Sequence, residues 1–315
     1  MALAHDFQFS QSSLQDFLDC KRRFQLRYLL KVAWPAQTQQ IENERAMQQG
    51  AQFHRLIQQH LLGIPAARLD SFVAAAESIS AEAGQFGQWW QNYLQFAANL
   101  PLEDGAAAFY PEAVLSAPLN AATTPPQPYR LLAKYDLLLI LPTQSAEKRR
   151  AVIYDWKTSQ KPSTRQRLLE RMQTRLYLYL LARAGGRFLT PPRQEAQIPP
   201  EQIEMIYWFA GEPQAPEHIP YSRAQYARDE TEMRRLITEI VQLSEAENAN
   251  QAALSGQAVF PLTTDARRCQ FCTYRSLCGR PGAENEQGDA QDDEESSAFA
   301  SASEFDFEQI AEIAF

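Results

Sequence analysis

The 315-residue sequence predicts an α/β protein, and three features point that way. Helical periodicities fill its first third, a run of short apolar or alternating segments follows, and from about Thr164 to Asn248 the pattern alternates helix, strand and helix. With 45% hydrophobic and 22% charged residues the chain has the make-up of a folded protein able to bury a substantial core, as one large domain or two small ones.

Each element follows from its own pattern. Ser10 to Val32 reads as a helix, capped by Ser12 or Ser13, with Leu14, Phe17, Leu18, Phe24 and Tyr28 at helical spacing and Trp34-Pro35 ending it. Cys20, three after Phe17 and four before Phe24, falls on its apolar face. A second helix, about Glu42 to Leu62, carries Phe53, Leu56, Ile57 and Leu61 with His54 beside them. A third, about Gln85 to Ala98, is rich in aromatics and reads as a core helix. Strands are expected at Phe109 to Leu115, Arg130 to Leu141 and Ala151 to Trp156. Pro125-Pro126-Gln127-Pro128 and Ser145 to Arg150 serve as the turns of a meander. A helix from about Thr164 to Ala184, a strand from Ile203 to Phe209 and a long polar helix from about Ser222 to Asn248 come next. Arg267 to Arg280 is a compact segment holding three cysteines, and Ala283 to Ser303 is acidic and Ser/Ala-rich, hence expected to be disordered.

Net charge is −8, which taken whole argues against an acidic polymer as partner. Position reverses that argument: 11 of the 38 acidic residues and none of the 30 basic ones lie after residue 282, leaving 27 against 30, or +3, for the body. Basic clusters at Lys21-Arg22-Arg23, Lys148-Arg149-Arg150 and Arg165 to Arg171 are compatible with phosphate binding or with a solvated charged surface. The N-terminus has no basic region followed by an apolar run, and no stretch approaches the roughly 20 apolar residues that cross a bilayer. A cytoplasmic protein with no membrane partner is expected, where clustered thiols bind metal more often than they form disulfides.

The chemistry concentrates in two places. Asp155 and Lys157, two apart at the end of an apolar strand, project to the same side. A carboxylate there can hold a divalent cation while the ammonium orients a water. Asp136 lies on the preceding strand, within reach of the same cation across a hairpin, and His54 can complete such a site. Gln173 and Tyr177, four apart on the next helix, face one way and suit contacts with bases or phosphates. The second place is Cys269-x2-Cys272-x5-Cys278, joined by the distant Cys20. Four thiolates suit a structural zinc or an iron–sulfur cluster, and spacing alone does not choose; either clamps the two ends of the chain together.

Jointly these residues resemble the PD-(D/E)xK nuclease superfamily, in particular RecB-type nuclease domains with an iron–sulfur cluster, as in AddB-like recombination nucleases and nucleases of CRISPR adaptation. The resemblance runs from Ser12-x-Leu14-x2-Phe17-x2-Cys20 through Gly50-x3-His54, Asp136, Asp155-Trp156-Lys157 and Gln173-x3-Tyr177 to the cysteine triplet. It implies a mixed central β-sheet flanked by helices, the restriction-endonuclease-like core, with an iron–sulfur clasp joining the N- and C-terminal segments. Residues 1–282 are then the nuclease domain and 283–315 an acidic tail. By resemblance His54, Asp136, Asp155 and the Trp156 carbonyl hold Mg²⁺ or Mn²⁺, and Lys157 positions the attacking water. Gln173 and Tyr177 line the DNA groove, and Cys20, Cys269, Cys272 and Cys278 hold a 4Fe-4S cluster, with Zn²⁺ the alternative. The implied activity is metal-dependent DNA cleavage, exonucleolytic on single-stranded ends, in repair, recombination or CRISPR adaptation. The rival is a non-catalytic DNA-binding or scaffold subunit on the same fold.

Some positions depart from the family's pattern. Lys21 stands where proline often follows the first cysteine, and Leu137 where an arginine often follows the aspartate, so one phosphate contact or salt bridge is either absent or supplied by Lys134. Glu112, on the strand before, is a further carboxylate outside the carried-over set. There is no Gly-x4-Gly-Lys-Ser/Thr loop, so a helicase or a recombination or CRISPR partner is expected to do any unwinding. The acidic-apolar Glu304 to Phe315 reads as a docking peptide, a cover for the basic groove, or an end with no role.

Overall fold

In the computed structural model the described residues are 3–4, 6–33, 38–79, 83–101, 107–120, 128–141, 150–158, 163–189, 197–252, 259–270 and 272–280. The expected turns at 125–127 and 145–149, the helix stop at Trp34-Pro35 and the whole acidic tail lie outside them. In chain order the elements are β1 (Gln8–Phe9), α1 (Gln11–Asp19), α2 (Lys21–Phe24), α3 (Thr38–Leu61), α4 (Ala66–Ile79), α5 (Ala83–Ala97), β2 (Ala108–Asn120), β3 (Pro128–Leu141), β4 (Arg150–Lys157), α6 (Arg165–Glu170), α7 (Met172–Ala184), β5 (Ile203–Phe209), β6 (Glu217–Pro220) and α8 (Arg223–Ala252). The strands form one mixed sheet of order β1-β3-β4-β5-β6, with β2 also paired to β3. β1 runs parallel to β3, β4 antiparallel to β3, β5 parallel to β4 and β6 antiparallel to β5. The expected mixed sheet flanked by helices is present.

The described residues fall into two compact units, one from 1–46, 117–132 and 230–315, the other from 47–116 and 133–229. In the second, Phe53, Leu56 and Ile57 of α3, Trp89, Trp90 and Tyr93 of α5, Leu137 and Leu139 of β3, Val152 and Trp156 of β4, and Ile206 and Trp208 of β5 make one apolar cluster. The registers Leu139↔Val152 and Trp156↔Trp208 put these strand residues side by side, as alternation requires. β5 is almost wholly buried and carries the apolar run of a central parallel strand.

The first unit departs from the sequence reading at the first helix. Ser10, not Ser12 or Ser13, is its cap: Ser10 and Ser13 exchange side-chain-to-backbone hydrogen bonds at both ends of a capping box. Nor is Ser10 to Val32 one helix. Cys20 is extended (φ −161°, ψ 111°), between α1 and the single turn α2, and a π-helical turn, Gln25–Leu29, follows. Cys20 therefore does not sit on a helix's apolar face. The aromatic residues of this stretch still pack as their spacing implies, with Phe24 edge-on to Phe17 and stacked on Phe260.

Two other differences shape the second unit. The expected helix Thr164 to Ala184 is broken at Arg171, whose ψ of 137° ends α6 and starts α7 at Met172. α4, β1 and β6 had no counterpart in the sequence reading.

Candidate active site

The site is built at one end of β3 and β4. Their ladder closes at Leu137↔Tyr154, so the next pair in register would be Asp136 and Asp155. There the backbone pairing gives way to side chains, and the Trp156 amide donates to Asp136 Oδ2 at 2.8 Å. Asp136 is thereby fixed in place of a ladder carbonyl.

His54 arrives from α3. Its Nδ1 is 3.2 Å from Asp136 Oδ1 and its Nε2 3.0 Å from the Trp156 carbonyl oxygen. Gly50, one turn earlier, explains how the helix comes so close: a Cβ there would lie 3.1 Å from Thr158 Oγ1, just past the end of β4. The Gly-x3-His spacing thus has a packing reason and a chemical one. Carboxylate and carbonyl oxygens both accept, so both imidazole nitrogens are called upon to donate. Burial pulls the His54 pKa down, but the charge and hydrogen bond of Asp136, helped by Asp155 and Glu112, prevail and leave it raised. A buried positive charge is therefore favoured among these oxygens.

Asp155 and Lys157 do project together, with Nζ 2.7 Å from Asp155 Oδ2. Gln173, the second residue of α7, bridges the pair, donating from Nε2 to Asp155 Oδ1 at 2.7 Å and accepting from Lys157 Nζ at 3.1 Å. Beneath the ammonium lies the Tyr207 ring, 5.4 Å from Nζ, whose hydroxyl is 2.7 Å from that of Thr174 on α7. The two aspartates are driven apart electrostatically. Burial raises both, but His54 and the Trp156 amide hold Asp136 below the usual carboxylate range, whereas the nearby Asp136 charge adds to burial and keeps Asp155 above it despite Lys157.

The Tyr177 side chain is buried, edge-on to Tyr135 at 5.3 Å, and the Tyr177 carbonyl accepts from the Tyr135 hydroxyl. Among the described residues the tight donor cluster is His54, Glu112 and Asp136, with one ligand atom of each within 4.8 Å of the others. Glu112 comes from β2 and is the further carboxylate outside the expected set; Asp155, which belongs to that set, has Oδ2 on Lys157 and Oδ1 on Gln173. The signal in the sequence was faint, a lone carboxylate after Pro111 in an apolar strand. What brings it inward is a positive φ of 53°, rare for a side-chain-bearing residue.

The cysteines lie in the other unit. Asp265 caps a short helical turn that ends at Cys269, and the Cys272, Arg275 and Cys278 amides bond back three or four residues to Cys269, Cys272 and Tyr274. These successive turns coil the segment, and its last cysteine precedes Gly279, whose φ of 64° favours a residue without a Cβ. Cys20 is near enough to influence all three of the others electrostatically, and burial pushes the Cys269, Cys272 and Cys278 thiols up. In the basic cluster beside Cys20, Lys21 is paired with Glu239 and Arg23 with the buried Asp16 and Asp19 at 2.7 and 2.6 Å, while Arg22 donates to the Gln25 amide oxygen.

A family model for the PD-(D/E)XK nuclease superfamily matches residues 8–279. The chain belongs to that superfamily. Its members are metal-dependent nucleases, and the nitrogen and carboxylate donors gathered at His54, Glu112 and Asp136 are of the kind that hold a divalent cation. No curated protein matches the chain. Among solved structures, the crystal structure of a protein described as SSO0001 is 14% identical over 65% of this chain and 79% of its own, with a TM-score of 0.30. No helix among the described residues is long and apolar enough to cross a membrane.

Proposed function

We propose that this superfamily member is an exonuclease that degrades single-stranded DNA ends, a RecB/AddB-like enzyme of repair, recombination or CRISPR adaptation working in the cytoplasm. The observation that carries the reading is the Asp155–Lys157–Gln173 bridge set beside Asp136, His54 and the Trp156 carbonyl. In this reading residues 1–282 are the nuclease body and 283–315 an acidic tail.

Asp136, Asp155, His54 and the Trp156 carbonyl would hold Mg²⁺ or Mn²⁺. The bound cation would supply Lewis-acid polarisation of the scissile phosphodiester and neutralise its developing charge. The rest of the catalysis falls to side chains. Lys157, steadied by Asp155, Gln173 and the Tyr207 ring, has a fixed ammonium with which to orient the attacking water and meet a phosphate oxygen. Asp155 has lone pairs left after its bonds to Lys157 and Gln173, so ligation does not require it to release either. Gln173 and Tyr177 would line the DNA groove, Gln173 with its amide at the edge of the Asp155–Lys157 pair. DNA is delivered by a partner, a helicase or a recombination or CRISPR protein.

Cys20, Cys269, Cys272 and Cys278 would hold a 4Fe-4S cluster of structural role. Four thiolates also suit a single structural zinc ion, and the colour and iron content of anaerobically purified protein decide between the two.

The test is degradation of end-labelled single-stranded and duplex DNA with Mg²⁺ or Mn²⁺ by anaerobically prepared protein. The native chain is expected to shorten single strands from an end, and Lys157→Ala and Asp155→Ala to lose about 10²–10⁴-fold in rate while keeping the cluster's absorbance. DNA binding without cutting under either metal would return the chain to a non-catalytic binding role.

A further inference from the structure

We infer that Glu112 is an additional ligand of the catalytic cation and that Lys134 is the counter-ion it gives up when the cation binds. The inference rests on the metal-dependent reading above and adds to it a residue and an exchange. Glu112 Oε2 is 2.5 Å from Lys134 Nζ, and a carboxylate oxygen of Glu112 also lies within 4.8 Å of ligand atoms of both His54 and Asp136.

The cluster is not merely acidic. It joins an imidazole to two carboxylates, and the imidazole's other nitrogen touches the Trp156 carbonyl. Both ring nitrogens of His54 thus face oxygen acceptors, so a positive charge is already called for where these oxygens converge. A divalent cation answers that call with twice the charge and needs more oxygen donors than Asp136, Asp155 and one carbonyl provide, since hard cations take about six. Glu112 is the carboxylate with an oxygen within 4.8 Å of ligand atoms of both His54 and Asp136. Its backbone is held at a φ of 53° inside a strand, a conformation that re-aims the side chain relative to its neighbours.

Lys134 sits two residues before Asp136 on β3, so the two side chains leave the strand on the same side. With no cation the ammonium neutralises Glu112. A cation on Glu112 competes directly with that ammonium, and the freed Lys134, only partly buried, is then beside the cation with a charge available for a substrate phosphate. This gives Lys134 the phosphate contact that Leu137 cannot make.

The coupling is open to a thermodynamic cycle that reads cation binding and not cutting. Mn²⁺ affinity of the full chain is measured by loss of the free-ion electron-paramagnetic signal, for native protein, Glu112→Gln, Lys134→Met and the double variant. Glu112→Gln is expected to weaken Mn²⁺ binding about 10–100-fold. Lys134→Met, which removes the competitor, is expected to tighten it several-fold, and that gain should largely vanish in the Glu112→Gln background. Should Glu112→Gln fail to fold, the Lys134→Met gain and a loss in Glu112→Asp, which keeps the charge but shortens its reach, still decide the matter. Affinity unchanged within twofold in Glu112→Gln, with Asp136→Asn binding lost, would make Glu112 a structural partner of Lys134 and overturn the inference alone. Native protein that takes up no Mn²⁺ would overturn the metal reading of the whole site with it.

Discussion

Gln173 holds the two halves of the Asp-x-Lys motif in one geometry, and neither its neutrality nor its helical position marked it for that task. Its amide donates to Asp155 and accepts from Lys157 at once. Only an amide does both; glutamate would repel Asp155 and leucine would leave two buried charged groups short of a partner. Gln173→Ala is therefore expected to lower the cleavage rate by about 10–100-fold, the usual cost of removing a group that orients a site residue. Mn²⁺ affinity should fall by less than the rate, because of the proposed ligands Gln173 bonds Asp155, while His54, Asp136 and the Trp156 carbonyl make their contacts without it. A single-turnover rate with a parallel Mn²⁺ titration checks this, and a loss of affinity as large as the loss of rate would instead make Gln173 a support of the cation site. His54, Asp136, Asp155 and Lys157 were readable in the sequence because each is a polar group in an apolar setting. Glu112 stood out only as a further carboxylate, because nothing in the sequence marks its positive φ, and the contacts of Gln173 depend on where α7 begins.

At the scale of elements, α3 and α5 meet through a ring cluster that favours a neutral histidine. His60 Nδ1 is 3.1 Å from the Tyr93 hydroxyl, and its ring stands edge-on to Trp90 and Tyr93. Burial lowers its pKa from the ordinary 6.5. A depressed folded pKa means that the stability held by the neutral ring is present above about 6.5 and is lost as pH falls through the folded value. The difference in melting temperature between native protein and His60→Gln should accordingly shrink as pH is lowered from about 7.5 to about 5. Thermal denaturation across that range measures it; His54, whose shift has the opposite sign, is common to both proteins and cancels. A difference that stays constant or widens would refute the assignment. The strong periodicities of α3, α5 and α8 and the apolar runs of β3, β4 and β5 could be read directly because packing demands them. The breaks at Cys20 and Arg171 could not, as neither involves proline or glycine. Ala-rich α4 and two-residue β1 show too little pattern for any period to be assigned.

For the molecule as a whole, the candidate active site and the cysteines belong to different units: His54, Glu112, Asp136, Asp155, Lys157 and Gln173 to one, Cys20, Cys269, Cys272 and Cys278 to the other. The second unit builds its core from a continuous apolar cluster between helices and sheet. In the first, the segment bearing three cysteines is held by short turns and by contacts such as that of Tyr274 with the Val32 carbonyl. The proposed clasp between Cys20 and this segment would close a loop of nearly the whole chain, so its value would lie in restricting the unfolded state and pinning a segment with little core of its own. Cys20→Ser is therefore expected to cost on the order of 2–5 kcal/mol, the scale of losing a cross-link that closes a long loop. The loss should also be uneven. Amide hydrogen exchange should quicken across residues 11–33 and 259–280 while β4 and β5 keep their protection, and Mn²⁺ affinity should stay within a few-fold of native. Exchange that quickens equally in β4 and β5 would mean that the clasp supports the whole protein, and an unchanged exchange pattern in a variant shown to lack iron would mean that the cluster holds nothing together.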